Sequence, residues 1–191
     1  MKTRSACILD GAPRDVPALD DAVRHVVKTL DERGWTTTVQ RLREMEIAPC
    51  RGCFACWVKT PGECIIDDAA RDVARAAIHS DLLVYVTPVT FGGYSSTLKK
   101  AVDRMIPLIL PYFTFVGSEV HHIRRYPTAP NLLGVGLMPE RDERQERAFR
   151  ALIRRNSINF HAADAEVCLL HEGSLDPRSS IVAALEEVTA E

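Results

Sequence analysis

The sequence predicts a three-layer α/β sandwich, with helices on both faces of a five-stranded parallel sheet ordered 2-1-3-4-5. Three observations point there. Apolar segments of strand type at 6–9, 36–42, 82–87, 132–137 and 166–170 alternate with segments of helical spacing at 16–33, 69–79, 96–110, 140–156 and 179–188. The run LLVYVT is apolar throughout, as expected of a strand buried on both faces of a parallel sheet. Finally, 191 residues suffice for one core but hardly for two, so positions 1–191 read as a single domain.

Each element has its own justification. In the first helix Leu19, Val23, Val26, Val27 and Leu30 recur at i, i+4, i+7, i+8 and i+11, forming one apolar stripe with charges opposite. Gly34 follows the last periodic residue, as a helix C-terminus favours. After the second strand, the cysteine-rich stretch at about 43–68 is too long for an ordinary connection and reads as a functional loop. The third strand leads through TPVTFGGYSST into a helix beginning STLKK, for which Ser95 and Ser96 are suitable N-caps. A second long loop, 111–130, carries aromatics and paired histidines before the last two strand–helix units.

Composition excludes several classes. With 46% hydrophobic residues, 26% charged and a net charge of −2, nothing suggests a nucleic acid or membrane partner. The arginines are interleaved with acids, as in PERDERQERAFR, which is the pattern of a solvated helix face. No window approaches the ~18 apolar residues of a membrane span, and MKTRSACILDG lacks the longer apolar segment of a secretory signal. The expected location is therefore cytoplasmic. There, six cysteines suggest metal or redox chemistry, or core packing, rather than a disulfide framework.

In such sheets ligands sit beyond the carboxyl ends of the strands, where strand order reverses. Here that point lies between the first and third strands, whose exits are DGAPRDVP and TPVTFGGYSST. In the second exit Gly92 and Gly93 permit close approach or positive φ, Phe91 and Tyr94 can flank a planar ring, and the Ser95 hydroxyl can reach a ligand. The plain alternative is a turn with a capped helix. In the first exit Gly11 and Arg14 suit a phosphate, although Pro13 and Pro17 offer no N–H; a simple helix entry is the alternative there.

The sharpest pattern is CRGCFACWVKTPGEC, which places Cys50, Cys53, Cys56 and Cys64 at C-x2-C-x2-C-x7-C. This brings four thiols together and leaves three occupants open: a cubane iron–sulfur (4Fe-4S) cluster, a zinc ion, or a packed loop of reduced thiols. Cys7 and Cys168 sit in strand-like runs and read as core. His121 and His122 are adjacent in an extended segment and point opposite ways, so they do not share a metal.

From the first strand to about position 138, the chain resembles the flavodoxin-like NAD(P)H-dependent FMN reductase family, in the branch with the iron–sulfur flavoproteins. The residues that carry the resemblance are the cysteine loop ending PGECIIDD and the segment TPVTFGGYSSTLKKAVDRMIPL. The resemblance implies a noncovalent FMN, with its phosphate near Gly11 and Arg14 and its isoalloxazine against Pro88, Val89, Thr90, Phe91, Gly92 and Gly93. It also implies NAD(P)H as cosubstrate, a small-molecule or protein electron acceptor, and a homodimer or homotetramer. No side chain is assigned a catalytic acid–base role, because the flavin does the redox chemistry. An electron carrier and a flavin-free binding or redox-sensing module are the rival readings. The phosphate loop departs from the family pattern: GAPRDVPALD lacks the usual small hydroxyl residues and sets Asp15 beside the expected dianion.

Overall fold

The computed structural model describes residues 3–174 and 176–190. In chain order the elements are β1 (Ser5–Asp10), α1 (Pro17–Glu32), β2 (Thr36–Arg41), α2 (Ala55–Val58), α3 (Ala70–Ile78), β3 (Leu82–Pro88), α4 (Ser96–Asp103), β4 (Ile109–Val116), β5 (Glu119–Arg124), β6 (Asn131–Met138), α5 (Glu143–Phe160), β7 (Ala165–His171) and α6 (Pro177–Thr189), with 3₁₀ turns at Leu42–Glu44 and Ile106–Leu108. The main sheet runs β2-β1-β3-β6-β7, every neighbouring pair parallel. With the β4–β5 hairpin set aside, this is the 2-1-3-4-5 order that the alternation predicts.

Successive side chains of a strand face opposite ways, and this divides the core in two. Ala6 and Ile8 join Leu19, Val26 and Leu30 of α1 and Leu185 of α6 on one face. Cys7 and Leu9 join Val73 of α3, Leu98 of α4, and Phe149 and Ile153 of α5 on the other. Each such leucine or isoleucine contributes about 1.5–3 kcal/mol by leaving water. Central β3 is buried at every position from Leu82 to Thr87, whereas the edge strands β2 and β7 are largely half-exposed. Cys7 and Cys168 are core residues as expected, and burial pushes their thiols up to about 12 and about 11. Among the described residues no helix is long and apolar enough to cross a membrane.

Two expectations need correction. The helix expected over 96–110 stops at Asp103, and Pro107 falls in the following 3₁₀ turn. A proline there has no N–H for the next helical turn and clashes with the preceding carbonyls. The stretch expected as loop 111–130 is largely an antiparallel hairpin, β4–β5. The end of β4, Phe113–Val116, alternates aromatic and β-branched residues, and the chain turns at Gly117 and Ser118, with Gly117 at φ 61°.

Candidate functional site at the carboxyl edge of the sheet

β1 delivers Asp10 into the interior, where it is 1% exposed. Asp10 Oδ1 accepts the Ala12 N–H at 3.0 Å, and Oδ2 accepts Arg43 Nη1 at 2.7 Å. Arg43 Nη2 also lies 3.1 Å from Asp15 and 3.7 Å from Asp20, so three carboxylates share this guanidinium. Gly11 is fixed by packing: its N–H donates to Val86 O at 2.8 Å, and a Cβ would stand 2.6 Å from Leu98 Cβ. Arg14 is exposed. α4, α5 and α6 are capped by Ser95, Asp142 and Asp176, but α1 starts at Val16 and Pro17 without a side-chain cap. An anion suits that open N-terminus and Arg14, while Asp15 opposes it.

The β3 exit is a tight turn. Thr90 and Gly93 exchange backbone hydrogen bonds of 3.0 and 2.9 Å around Phe91 at φ 50° and Gly92 at φ 76°. Two consecutive positive φ values are what a two-residue I′ turn requires. A Cβ on Gly92 would meet Ala148 Cβ at 2.5 Å, and the Gly92 N–H donates to Gln145 Oε1 at 3.2 Å. At Gly93 φ is not positive, and a Cβ would meet only Thr90 O at 3.5 Å. The positive-φ expectation thus holds for Gly92 and not for Gly93; the second left-handed residue is Phe91, which is 96% exposed.

Tyr94 turns inward rather than flanking the turn. Its ring stands edge-on to Tyr85 and Phe149 at 5.6 and 5.9 Å, and its hydroxyl accepts Asn156 Nδ2 at 3.0 Å. The Ser95 hydroxyl is also engaged: it accepts the Leu98 N–H at 3.0 Å and donates to Gly11 O at 2.5 Å, which joins the two strand exits. Val89 is buried, its N–H bonded to Leu137 O at 2.8 Å. The surface open to a ligand is therefore Pro88, Thr90, Phe91 and Gly93, with Val89, Gly92, Tyr94 and Ser95 bracing it from behind.

Cys50, Cys53, Cys56 and Cys64 line one cavity together with Ile66 and Arg104. Cys50 and Cys53 are exposed, Cys64 half-buried and Cys56 buried. Burial first, then neighbouring Cys64, pushes the Cys56 thiol above its ordinary value. Among the described residues no three cysteine, histidine or acidic side chains meet at one metal-sized point. A cubane cluster does not ask for that, since each thiolate takes a different iron and the sulfurs ring a cavity. The arrangement fits such a group in its donor chemistry.

The loop is held by residues that sequence reasoning missed. Arg104 Nη1 donates to Ala48 O and Asp68 Oδ2, both at 2.8 Å; Nη2 donates to Ile66 O at 3.0 Å and Asp68 Oδ1 at 2.9 Å. Asp68 further accepts the N–H groups of Ala48 and Ala70 at 2.9 and 3.0 Å. Burial alone would raise the Asp68 carboxyl, but Arg104 and these N–H groups outweigh it and hold it below 3.8. The available signals were an arginine inside the apolar run VDRMIPL and the acids closing PGECIIDD.

The hairpin docks on this loop. Trp57 Nε1 donates to Ile109 O at 2.9 Å, and rings follow one another from Phe54 through Trp57 and His122 to Phe113, with centroids 4.5–5.1 Å apart. His121 points away from His122, as expected, and bonds Glu119 and Asn159.

Residues 7–121 match the NADPH-dependent FMN reductase family. Over 100 residues the chain is 33% identical to an iron–sulfur flavoprotein of Methanocaldococcus jannaschii, covering 52% of this chain and 51% of that one. It is 28% identical over 100 residues to an iron–sulfur flavoprotein of Methanosarcina thermophila, with the same coverage of 52% and 51%. The chain thus spans about half the length of the curated relatives it matches. Among solved structures, an NAD(P)H:quinone oxidoreductase from Methanothermobacter marburgensis superposes with TM-score 0.71 at 13% identity, covering 100% of both chains. An FMN-dependent NADH-azoreductase from Bacillus anthracis, in complex with FMN, gives 0.62 at 15% identity, covering 97% of this chain and 96% of that one. Identities this low show a shared flavodoxin-like fold alone. The match over 7–121, more than half of the chain, shows that it belongs to the NADPH-dependent FMN reductase family.

Proposed function

We propose that the protein is an FMN-dependent oxidoreductase that takes electrons from NAD(P)H and passes them through bound flavin to a small-molecule or protein acceptor. The observation that carries this reading is the joining of the two strand exits through Ser95 Oγ and Gly11 O, beside an uncapped α1 and an outward turn. The phosphate would be held by Arg14 and the first turn of α1, and the ring by Pro88, Thr90, Phe91 and Gly93. When bound, the flavin supplies hydride and electron transfer; the chain supplies position and shields one face of the ring.

The test is FMN titration of purified protein, followed by anaerobic NADH and NADPH oxidation. Micromolar binding with turnover supports the reading, and a folded protein that stays colourless after incubation with FMN refutes it. A second reading, an iron–sulfur flavoprotein that carries electrons between proteins, is favoured by the cavity ringed by four cysteines. Stoichiometric iron and sulfide after anaerobic purification, with negligible NAD(P)H turnover, would select it.

We place the homo-oligomer contact on the hairpin, where Tyr112, Phe113, Phe115 and Val120 are exposed. Sedimentation of a Phe115→Ser variant tests it, a smaller species being expected. Cytoplasmic residence fits the six free thiols, and redox trapping in whole cells checks it.

A further inference from the structure

Arg104 is 2% exposed, which is unusual for the most strongly basic side chain. A guanidinium has five N–H donors. Four are engaged: two from Nη1 to Ala48 O and Asp68 Oδ2, and two from Nη2 to Ile66 O and Asp68 Oδ1. The fifth, on Nε, is buried without a partner. A buried charged donor left unmade is costly, so the N–H calls for an acceptor beside it, and the side chain in reach is that of Cys64. Arg104 lines the cysteine cavity next to Cys64, and Cys64 is close enough to act on the guanidinium charge.

We propose that Arg104 is the positioning residue of the cysteine site: it clamps both ends of the cysteine loop through Ala48, Ile66 and Asp68 and offers its fifth N–H to a sulfur in the cavity. The clamp stands on the chain alone, while the sulfur contact rests on the cluster reading given above. Two consequences follow. Loss of Arg104 frees Ala48 and Asp68, so the loop opens more often. Loss of a cationic donor beside a cluster also disfavours its more negative, reduced form, which lowers its potential. Asp68 works in the opposite sense, since it balances the charge of Arg104.

The experiment compares the full chain with Arg104→Gln, Arg104→Lys and Asp68→Asn. Hydrogen exchange on the metal-free proteins reads the clamp. The N–H groups of Ala48 and Ala70, which donate to Asp68, should exchange roughly tenfold faster in Arg104→Gln, while those of β3 stay protected. Unchanged exchange at Ala48 and Ala70 overturns the clamp. Where β3 also loses protection in Arg104→Gln, Arg104→Lys carries the same comparison, with an intermediate effect expected from a charge without the planar fork. Reconstitution with ferrous iron and sulfide, then a potentiometric titration, reads the sulfur contact. The midpoint should fall in Arg104→Gln and rise in Asp68→Asn. Mere loosening moves both variants the same way, and that result overturns the contact. A wild-type chain that takes up no iron or sulfide removes the cluster reading and the contact with it, while the exchange data still judge the clamp.

Discussion

Replacing Gly92 by alanine asks the β3 exit to accept one methyl group in two bad circumstances at once. The residue sits at φ 76°, where a Cβ costs about 1–2 kcal/mol. The methyl would stand 2.5 Å from Ala148 Cβ and 3.3 Å from Gln145 O, so the turn must move off α5, an overpacking of about 1–3 kcal/mol. Such a shift also loosens the Gly92 N–H to Gln145 Oε1 bond, which contributes about 1 kcal/mol. Together the cost is about 3–6 kcal/mol, and at about 2–4 °C per kcal/mol for a chain of this size Tm falls by roughly 6–24 °C. Thermal and urea unfolding followed by circular dichroism measure it. Gly93→Ala is the control, since its Cβ meets only Thr90 O at 3.5 Å, and its cost should stay within about 1 kcal/mol. Ala148→Gly in the Gly92→Ala background should recover the packing part but not the φ part. The reasoning is refuted if Gly93→Ala costs as much as Gly92→Ala, or if Ala148→Gly recovers nothing.

Three further expectations are independent of that turn. Asp15, with its side chain 87% exposed, sets a like charge beside the proposed phosphate, so Asp15→Asn should tighten FMN about two- to fivefold at low salt, fading near ~0.5 M; weaker binding in flavin-fluorescence titration would show that its hold on Arg43 matters more. Thiol labelling at pH 8 should mark Cys50 and Cys53 first and reach Cys7 and Cys168, whose thiols burial holds at about 12 and about 11, only after denaturation; mass mapping of early Cys7 label would contradict the core placement. Asp68, held below its ordinary 3.8, gives stability that is complete above that value and lost as pH falls through its lower folded value, so Asp68→Asn should flatten the acid limb of urea midpoints; an unchanged acid limb would mean that other carboxylates carry it.

The sheet order was legible because every strand declares itself locally: LLVYVT must be buried on both faces, and the stripe from Leu19 to Leu30 needs only one helix to explain it. The nearness of the four cysteines was legible for the same reason, since their spacing is local. Tyr94 shows where this ends. A residue leaving a two-residue turn can face either way, and what draws Tyr94 inward is a slot between Tyr85 on β3 and Phe149 on α5, far apart in the chain. Gly92 and Gly93 look equivalent in sequence, yet only Gly92 meets α5. The hairpin is hidden in the sequence because only FTFV alternates, whereas EVHHIR sets two histidines side by side, and Gly117 with Ser118 suits a loop as well as a turn. Arg104 could not be paired from sequence at all, because its partners lie 36, 38 and 56 residues away.

The segment between β2 and α3 is anchored at both ends by the same device. Arg43 enters it bonded to buried Asp10 at the β1 exit, and Asp68 leaves it bonded to Arg104 after α4. A hydrophobic anchor would be the ordinary solution, and replacing an ion pair by apolar residues is often neutral or better. Here it would not be. Arg104 also satisfies the carbonyls of Ala48 and Ile66, and Asp68 satisfies the N–H groups of Ala48 and Ala70. An apolar pair would leave these backbone groups without partners inside the protein. The irregular path that lets four cysteines ring a cavity is also what prevents the backbone from satisfying itself. The charged anchors are therefore a consequence of the loop's shape. They tie the cysteine cavity to the strand exits, with Arg43 reaching the β1 loop at one end and Arg104 following the helix that Ser95 starts at the other.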